Sequence, residues 1–346
     1  MTANLSNISD LEEFDGHELV MRLEDASSGL EGYIALYNPS TKPSCFGATR
    51  IWNYSSEADA LKDVLKLSKT MAYKAAMADL GYGGAKGVIM RKRSDLSEDL
   101  LKAYARKVEF FSGKFITGTD VGMTRNQLVF MKRYSKFFVG TSANPERFTA
   151  MGVYKAMKIC AKEVWGTDDL SRRVIAIQGL GKTGMELLKL VYDSGFKKLY
   201  ITDIKADIVK HALKKYSGLE YVKPDIMSRK KVDIFSPCAI FSAVNSKNIG
   251  KIRCKLIAGT ANNQLEKESM GEILSKWGVL YAPDYVINAG GLISVVDEYE
   301  NGNCRVGRVK DKLRIIEKNI KKVLAKSKRT SKATNIVANE YAEKKL

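Results

Sequence analysis

Between Arg173 and Asp203 a strand, a glycine-rich turn, a helix and an acid follow one another. No other stretch narrows the fold as much. Arg173-Val174-Ile175-Ala176-Ile177-Gln178 is an apolar run of strand length that enters Gly179-Leu180-Gly181-Lys182-Thr183-Gly184. Met185, Leu187, Leu188 and Val191 then recur at helical spacing. Leu199-Tyr200-Ile201-Thr202 reads as the next strand and ends in Asp203, 19 residues beyond Gly184. Gly179 makes the tight turn, Gly181 admits a pyrophosphate, and Gly184 lets helix and strand pack closely. The helix start offers free N–H groups and a positive dipole end to the phosphates. A lone glycine signature is weak, but this one has its strand, helix and acid in place and specifies a dinucleotide-binding βαβ unit. Asp203 is expected to accept from the ribose 2′-OH and to repel a 2′-phosphate, which favours NAD over NADP. Ile204 and Lys205 follow it, and the lysine softens that preference.

At 346 residues the chain is too long for one ordinary core and fits two domains. Strands alternate with helices from Val174 onward, as in a parallel α/β sheet. The first half mixes short elements: a strand at 33–37, a helix at 58–71 capped by Ser55 or Ser56, and a helix at 98–111 capped by Ser97. Gly83-Gly84-Ala85 reads as a turn with a short strand at 88–90 behind it, and 115–120 reads as a strand running into a polar loop. Thr141-Ser142-Ala143-Asn144-Pro145 is the best linker candidate.

Composition excludes more than it assigns. There is no apolar run of membrane-spanning length and no basic-then-apolar leader at the N-terminus, so a cytoplasmic protein is expected. Five cysteines without a C-x-x-C spacing argue against a disulfide framework or zinc ribbon. The two histidines, His17 and His211, sit in no motif, which disfavours a histidine-based or metal site. Of the net charge of +18, a surplus of ten lies in Arg305–Leu346, where Leu313, Ile316, Ile320, Val323 and Leu324 recur at helical spacing. That tail reads as an amphipathic helix with a solvated basic face. No zinc finger, RNP-like or helix-turn-helix signature supports nucleic-acid binding.

Two lysines, Lys74 in MAYKAA and Lys86 in GGAKG, stand twelve residues apart. Beside a nicotinamide site, such a pair suggests hydride chemistry on an amino or keto acid. The motifs GATRIW (47–52), MAYKAA (71–76), GGAKG (83–87), TGTDVG (117–122), IQGLGKTG (177–184), ITDI (201–204), DIFSPCA (233–239), GTANNQ (259–264) and APDYVINAGG (282–291) together resemble the Glu/Leu/Phe/Val dehydrogenase superfamily over nearly the whole chain. The closest likeness is to leucine and phenylalanine dehydrogenases, which reversibly deaminate an L-amino acid to a 2-oxo acid and ammonia.

That resemblance implies an N-terminal α/β substrate and oligomerisation domain and a Rossmann dinucleotide-binding domain separated by a cleft. Residues 1–145 would form the first and 146–300 the second, with 301–346 a basic helical segment packing back on the body. It implies that Lys74 holds the substrate carboxylate as a point charge. Lys86 would be the acid/base group, its pKa lowered by enclosure and by a second ammonium, and Asp120 would exchange protons with substrate nitrogen and water. Thr149, Ala239, Asn262 and Asn288 would line the nicotinamide end. The asparagine amides would orient either the nicotinamide amide or the substrate carboxylate.

Phe46 stands, before Gly47, where glutamate-type members have a lysine for the substrate's side-chain carboxylate, so glutamate is disfavoured. Gly118 and Leu292 resemble the phenylalanine-type pair, and Val295 would complete an apolar wall around the substrate, whose carboxylate end Asn288 would also meet. A phenylalanine-type or other bulky apolar substrate therefore ranks above leucine and valine. A catalytically idle dinucleotide sensor is the alternative from another class; the retained Lys74, Lys86 and Asp120 argue against it. Two positions depart from the family pattern: Lys182 replaces a common asparagine, and Phe241 stands where relatives have glycine. A homo-oligomer, dimer or larger, is expected.

Overall fold

In a computed structural model, which describes residues 8–239 and 242–346, the chain divides into two compact units. The first comprises Met1–Ala143, Val295–Arg305 and Ala342–Leu346; the second comprises Asn144–Ser294 and Val306–Tyr341.

The first unit is built on five strands: β1 (Leu19–Asp25), β2 (Leu30–Tyr37), β3 (Cys45–Trp52), β4 (Gly83–Met90) and β5 (Phe115–Thr119). They lie in the order β1-β2-β4-β3-β5, with β1–β2 and β2–β4 antiparallel and the rest parallel. Helix α1 (Glu57–Met77) links β3 to β4, α2 (Glu98–Phe110) links β4 to β5, and α3 (Arg125–Lys132) follows. The Ser56 hydroxyl accepts the Asp59 N–H and caps α1. Ser97 caps α2 in the same way. Such caps each contribute about 1 kcal/mol. Helix α1 runs six residues beyond Met71, to Met77, which carries the whole MAYKAA motif onto its last turns.

Gly83-Gly84-Ala85 is not a turn. It begins β4, the middle strand of the sheet, where seven of eight residues are buried. A Cβ on Gly84 would lie 2.1 Å from the Ala72 nitrogen of α1, and one on Gly87 would lie 2.1 Å from the Tyr104 hydroxyl of α2. The glycines therefore let helices approach both faces of the strand, a demand that resembles a turn signal in sequence but comes from packing. Side chains alternate along a strand, so Lys86, two residues from Gly84, shares the face that α1 covers.

The second unit opens with α4 (Pro145–Trp165), capped by Asn144, and holds six parallel strands. These are β6 (Val174–Gln178), β7 (Lys198–Thr202), β8 (Leu219–Tyr221), β9 (Ile234–Pro237), β10 (Leu256–Ile257) and β11 (Leu280–Tyr281). Their order, β11-β10-β9-β6-β7-β8, is the doubly wound dinucleotide-binding arrangement, with strand order reversing between β6 and β9. The helices are α5 (Lys182–Ser194), α6 (Ala206–Lys215), α7 (Pro224–Met227), α8 (Ser269–Lys276), α9 (Asp284–Ile287), α10 (Gly290–Asn301), α11 (Val306–Lys312), α12 (Arg314–Thr330) and α13 (Thr334–Glu343). The boundary between units falls inside α10, after Ser294. Helix α12 buries Ile316, Ile320, Val323 and Leu324 and exposes Lys318, Lys321, Lys322, Lys328 and Arg329. Gly152 of α4 makes room for it: a Cβ there would lie 2.7 Å from Ile316. No helix of the described residues is long and apolar enough to cross a membrane.

Candidate active site

Lys86 lies in a row of paired residues running Ala35–Lys86–Ala48–Gly118 across β2, β4, β3 and β5. Its neighbours are small, which leaves space on that face beside the ammonium. The Lys86 side chain is only 5% exposed, and its Nζ donates to Asp120 Oδ2 at 2.6 Å. Asp120 follows β5 directly; its N–H donates across to the Thr49 carbonyl of β3, and its carbonyl accepts the Met123 N–H in a tight turn. Gly122 completes that turn with φ +86°, and a Cβ there would lie 2.0 Å from the Ile51 carbonyl oxygen. Only glycine fits both demands.

A second cation reaches the same carboxylate oxygen. Arg50 Nε donates to Asp120 Oδ2 at 3.0 Å, while its Nη1 donates to Asp63 Oδ2 at 2.7 Å. Tyr54 donates its hydroxyl to Asp63. Burial pushes the Asp120 carboxyl up, but the charges of Lys86 and Arg50 outweigh it and hold Asp120 below the usual carboxylate range. For Lys86, burial lowers the pKa, Asp120 opposes that, and Arg50 lowers it further. Arg50 is a cationic neighbour of Lys86 beyond the second ammonium expected from the sequence. Lys74, 7% exposed, sits near the end of α1 on the same side of the sheet as Lys86.

Of the residues expected around the substrate side chain, Phe46 is fully buried and meets Tyr82 and Tyr299 edge-on at 4.7 and 5.5 Å between ring centres. Gly47 is demanded by the sheet, since a Cβ would lie 2.1 Å from the Ala85 carbonyl oxygen. At Gly118 a Cβ would lie 3.1 Å from the Val139 carbonyl oxygen. Half-buried Val295 lies beside Gly140 in the first unit, while Leu292 is buried in the second.

In the second unit the fingerprint glycines show three distinct environments. Gly179 has φ +97°, and a Cβ would lie 2.5 Å from the Ala239 nitrogen; at Gly184 it would lie 2.1 Å from the Gly179 carbonyl oxygen; at Gly181 it would meet nothing. Open space at the N-cap of α5 fits a phosphate, and Lys182 and Thr183 begin that helix. Exposed Lys182 pairs with Glu146 at 3.5 Å. Asp203 Oδ2 accepts the Leu180 N–H at 2.7 Å and Oδ1 accepts that of Lys205 at 2.9 Å, so the acid also braces the glycine loop. Ile204 beside it is 87% exposed. Thr149 on α4 packs against Gly291, whose Cβ would lie 2.6 Å from its hydroxyl. Asn288 Nδ2 donates to Asn262 Oδ1 at 2.9 Å and to the Ala261 carbonyl at 3.2 Å. Its Oδ1 is buried without a partner among the described residues. Since an unpaired buried acceptor costs about 1–3 kcal/mol, this oxygen fits a ligand that brings a donor. Phe241 lies outside the described residues.

Arg50, Asp63 and Tyr54 were not singled out from sequence. Strand parity held the signal: Arg50 is two residues from Ala48, the register partner of Lys86.

The chain is similar to known proteins over most of its length. Residues 17–136 match the dimerisation domain of Glu/Leu/Phe/Val dehydrogenases, and residues 205–345 match the Glutamate/Leucine/Phenylalanine/Valine dehydrogenase domain. The chain is 40% identical over 343 residues to leucine dehydrogenase of Bacillus cereus, covering 97% of this chain and 92% of that one. It is 40% identical over 296 residues to phenylalanine dehydrogenase of Thermoactinomyces intermedius, covering 82% and 80%. The crystal structure of L-tryptophan dehydrogenase from Nostoc punctiforme superposes with a TM-score of 0.80 at 34% identity, over 95% of this chain and 96% of that one. Fold and relatives together define an amino-acid dehydrogenase, an oxidoreductase acting on CH–NH2 donors. The chain belongs to the Glu/Leu/Phe/Val dehydrogenase family, whose members bind a nicotinamide dinucleotide.

Proposed function

We propose that the protein catalyses the NAD-dependent, reversible oxidative deamination of a hydrophobic L-amino acid to a 2-oxo acid and ammonia, with a phenylalanine-type or other bulky apolar substrate favoured. The observation that carries this reading is the buried Lys86–Asp120 pair, in which burial and Arg50 lower the lysine's proton affinity. A lysine able to lose its proton near working pH can activate water, and an ionised Asp120 can pass protons to and from the substrate nitrogen. Lys74 binds the α-carboxylate as an ammonium. The nicotinamide, when bound, supplies the hydride acceptor. Gly179, Gly181 and Gly184, with Lys182 and Thr183, cradle its phosphates; Thr149, Ala239, Asn262 and Asn288 hold its reactive end. The unpaired Asn288 Oδ1 favours a donor there, a carboxamide NH2 or an amine, over a carboxylate.

Asp203 supports NAD over NADP through its charge beside the ribose. Phe46 in place of a cation supports an apolar substrate, since a lone buried carboxylate would be costly. One observation favours the second reading, a leucine or valine substrate. The close approach of Val139 gives Gly118 a packing reason to lack a side chain, which weakens it as a mark of an enlarged pocket. We further propose a homo-oligomer, supported by the match to a dimerisation domain. Absorbance at the reduced-nicotinamide band, with a panel of L-amino acids and both cofactors, tests the proposal. Oxidation of phenylalanine above leucine and valine with NAD is expected; no oxidation of any amino acid would overturn it.

A further inference from the structure

Arg50 is a buried cation that the deamination chemistry does not itself require, and its side chain is 11% exposed. We propose that Arg50, held in place by Asp63, is a positioning residue that fixes the Asp120 carboxylate and sets the protonation behaviour of Lys86; this rests on the deamination reading above.

The argument starts from what Lys86 and Asp120 would do alone. A buried ammonium against an unshared carboxylate at 2.6 Å is locked in its charged form, because losing the proton would strand the carboxylate. A lysine so held is a poor base. Arg50 enters at 3.0 Å on the same oxygen, Oδ2, so Asp120 divides its attraction between two cations. When Lys86 gives up its proton, the guanidinium, which does not itself titrate, still neutralises the carboxylate. Arg50 would swing toward Lys86 or away from Asp120 were it not tied at its other end to Asp63 at 2.7 Å. Asp63 is in turn fixed by the Tyr54 hydroxyl. The result is an alternating chain of Lys86, Asp120, Arg50 and Asp63, all in the first unit.

Of the charged groups on the elements around Lys86, those that act on it are Asp120 after β5, Arg50 on β3 and Asp63 on α1; Lys74 of α1 lies on the same side of the sheet, and the β2 neighbour is Ala35. Arg50 disfavours the Lys86 proton and Asp63 favours it. Removing them should therefore move Lys86 in opposite directions, whereas damage to packing alone would not.

The test is the pH dependence of kcat/KM for amino-acid oxidation, which reports groups in the free enzyme. It is run on the full chain as wild type, Arg50→Gln, Arg50→Lys and Asp63→Asn. The rising limb should move to higher pH by about one unit in Arg50→Gln and to lower pH in Asp63→Asn, as expected for neighbouring charges. Arg50→Lys should lie closer to wild type than Arg50→Gln does. Limbs that stay in place, or that move the same way in both charge-removing variants, overturn the proposal. Should Arg50→Gln fail to fold, Arg50→Lys decides, since one ammonium cannot bridge Asp120 and Asp63 as the guanidinium does: a smaller upward shift supports the proposal, and an unmoved limb ends it. Should the wild type oxidise no amino acid, the functional reading has failed separately. The pH dependence of Lys86 acylation by an amine reagent, read by mass spectrometry in the same variants, then tests Arg50 without turnover.

Discussion

Glu298 offers the sharpest stability prediction, because one buried carboxylate closes four consecutive backbone groups. Its Oε1 accepts from the N–H of Gly140 and Thr141 and from the Thr141 hydroxyl, and its Oε2 accepts from the N–H of Ser142 and Ala143, all at 2.8–3.1 Å. The residue is 3% exposed. Burial alone would push its carboxyl up, but these donors reverse that and bring it from 4.5 down to about 2. A depressed acid contributes stability above its unfolded value and loses it as pH falls through the folded one. At roughly 1.4 kcal/mol per unit, the shift is worth about 3 kcal/mol at neutral pH, present in full above about 5 and lost between about 4.5 and about 2. Glu298→Gln removes the charge and turns an NH2 toward backbone donors. It should destabilise the first unit by about 3 kcal/mol near pH 7, with a gap to wild type that narrows below about pH 4.5. Denaturant unfolding across pH measures the gap, and hydrogen exchange at residues 140–143 locates it. A gap below about 1 kcal/mol at neutral pH, or one unchanged in acid, would refute the reasoning.

Lys86→Ala should lower turnover by about 10²-fold or more while cofactor binding, measured by fluorescence titration, is retained; full activity would remove Lys86 from the chemistry. Asp203→Ala should lower the NAD-to-NADP rate ratio by about tenfold, roughly one hydrogen bond's worth. It should also weaken both cofactors, because the Leu180 N–H loses its acceptor; an unchanged ratio would show that the acid does not read the ribose. Gly84→Ala should cost about 1–3 kcal/mol or prevent folding, since the new methyl would lie 2.1 Å from the Ala72 nitrogen; a wild-type unfolding midpoint would show that α1 yields easily.

The dinucleotide unit was legible because its constraints are local. Turn, pyrophosphate approach and helix packing act within six residues, and Gly179, Gly181 and Gly184 meet three different surroundings as their spacing demands. The first unit was less legible for the opposite reason. Gly83-Gly84 carries the same residues as a turn, yet what excludes a Cβ at Gly84 is a helix that begins 27 residues earlier in the chain. Local pattern cannot tell a glycine that bends the backbone from one that admits a neighbour.

Charge partners obey the same distinction. Lys86 and Asp120 stood out within their motifs, but Arg50, whose charge partly offsets that of Asp120 at Lys86, did not. Its relation to Lys86 exists only once β3 and β4 are paired in register, with Ala48 against Lys86 and Arg50 against Val88. A one-residue slip would turn Arg50 to the opposite face and leave Asp120 with a single cation. The register is itself guarded by glycines, since Gly47 sits where a Cβ would strike the Ala85 carbonyl. The small residues that obscure this sheet in the sequence thus place the charges on which the proposed chemistry depends.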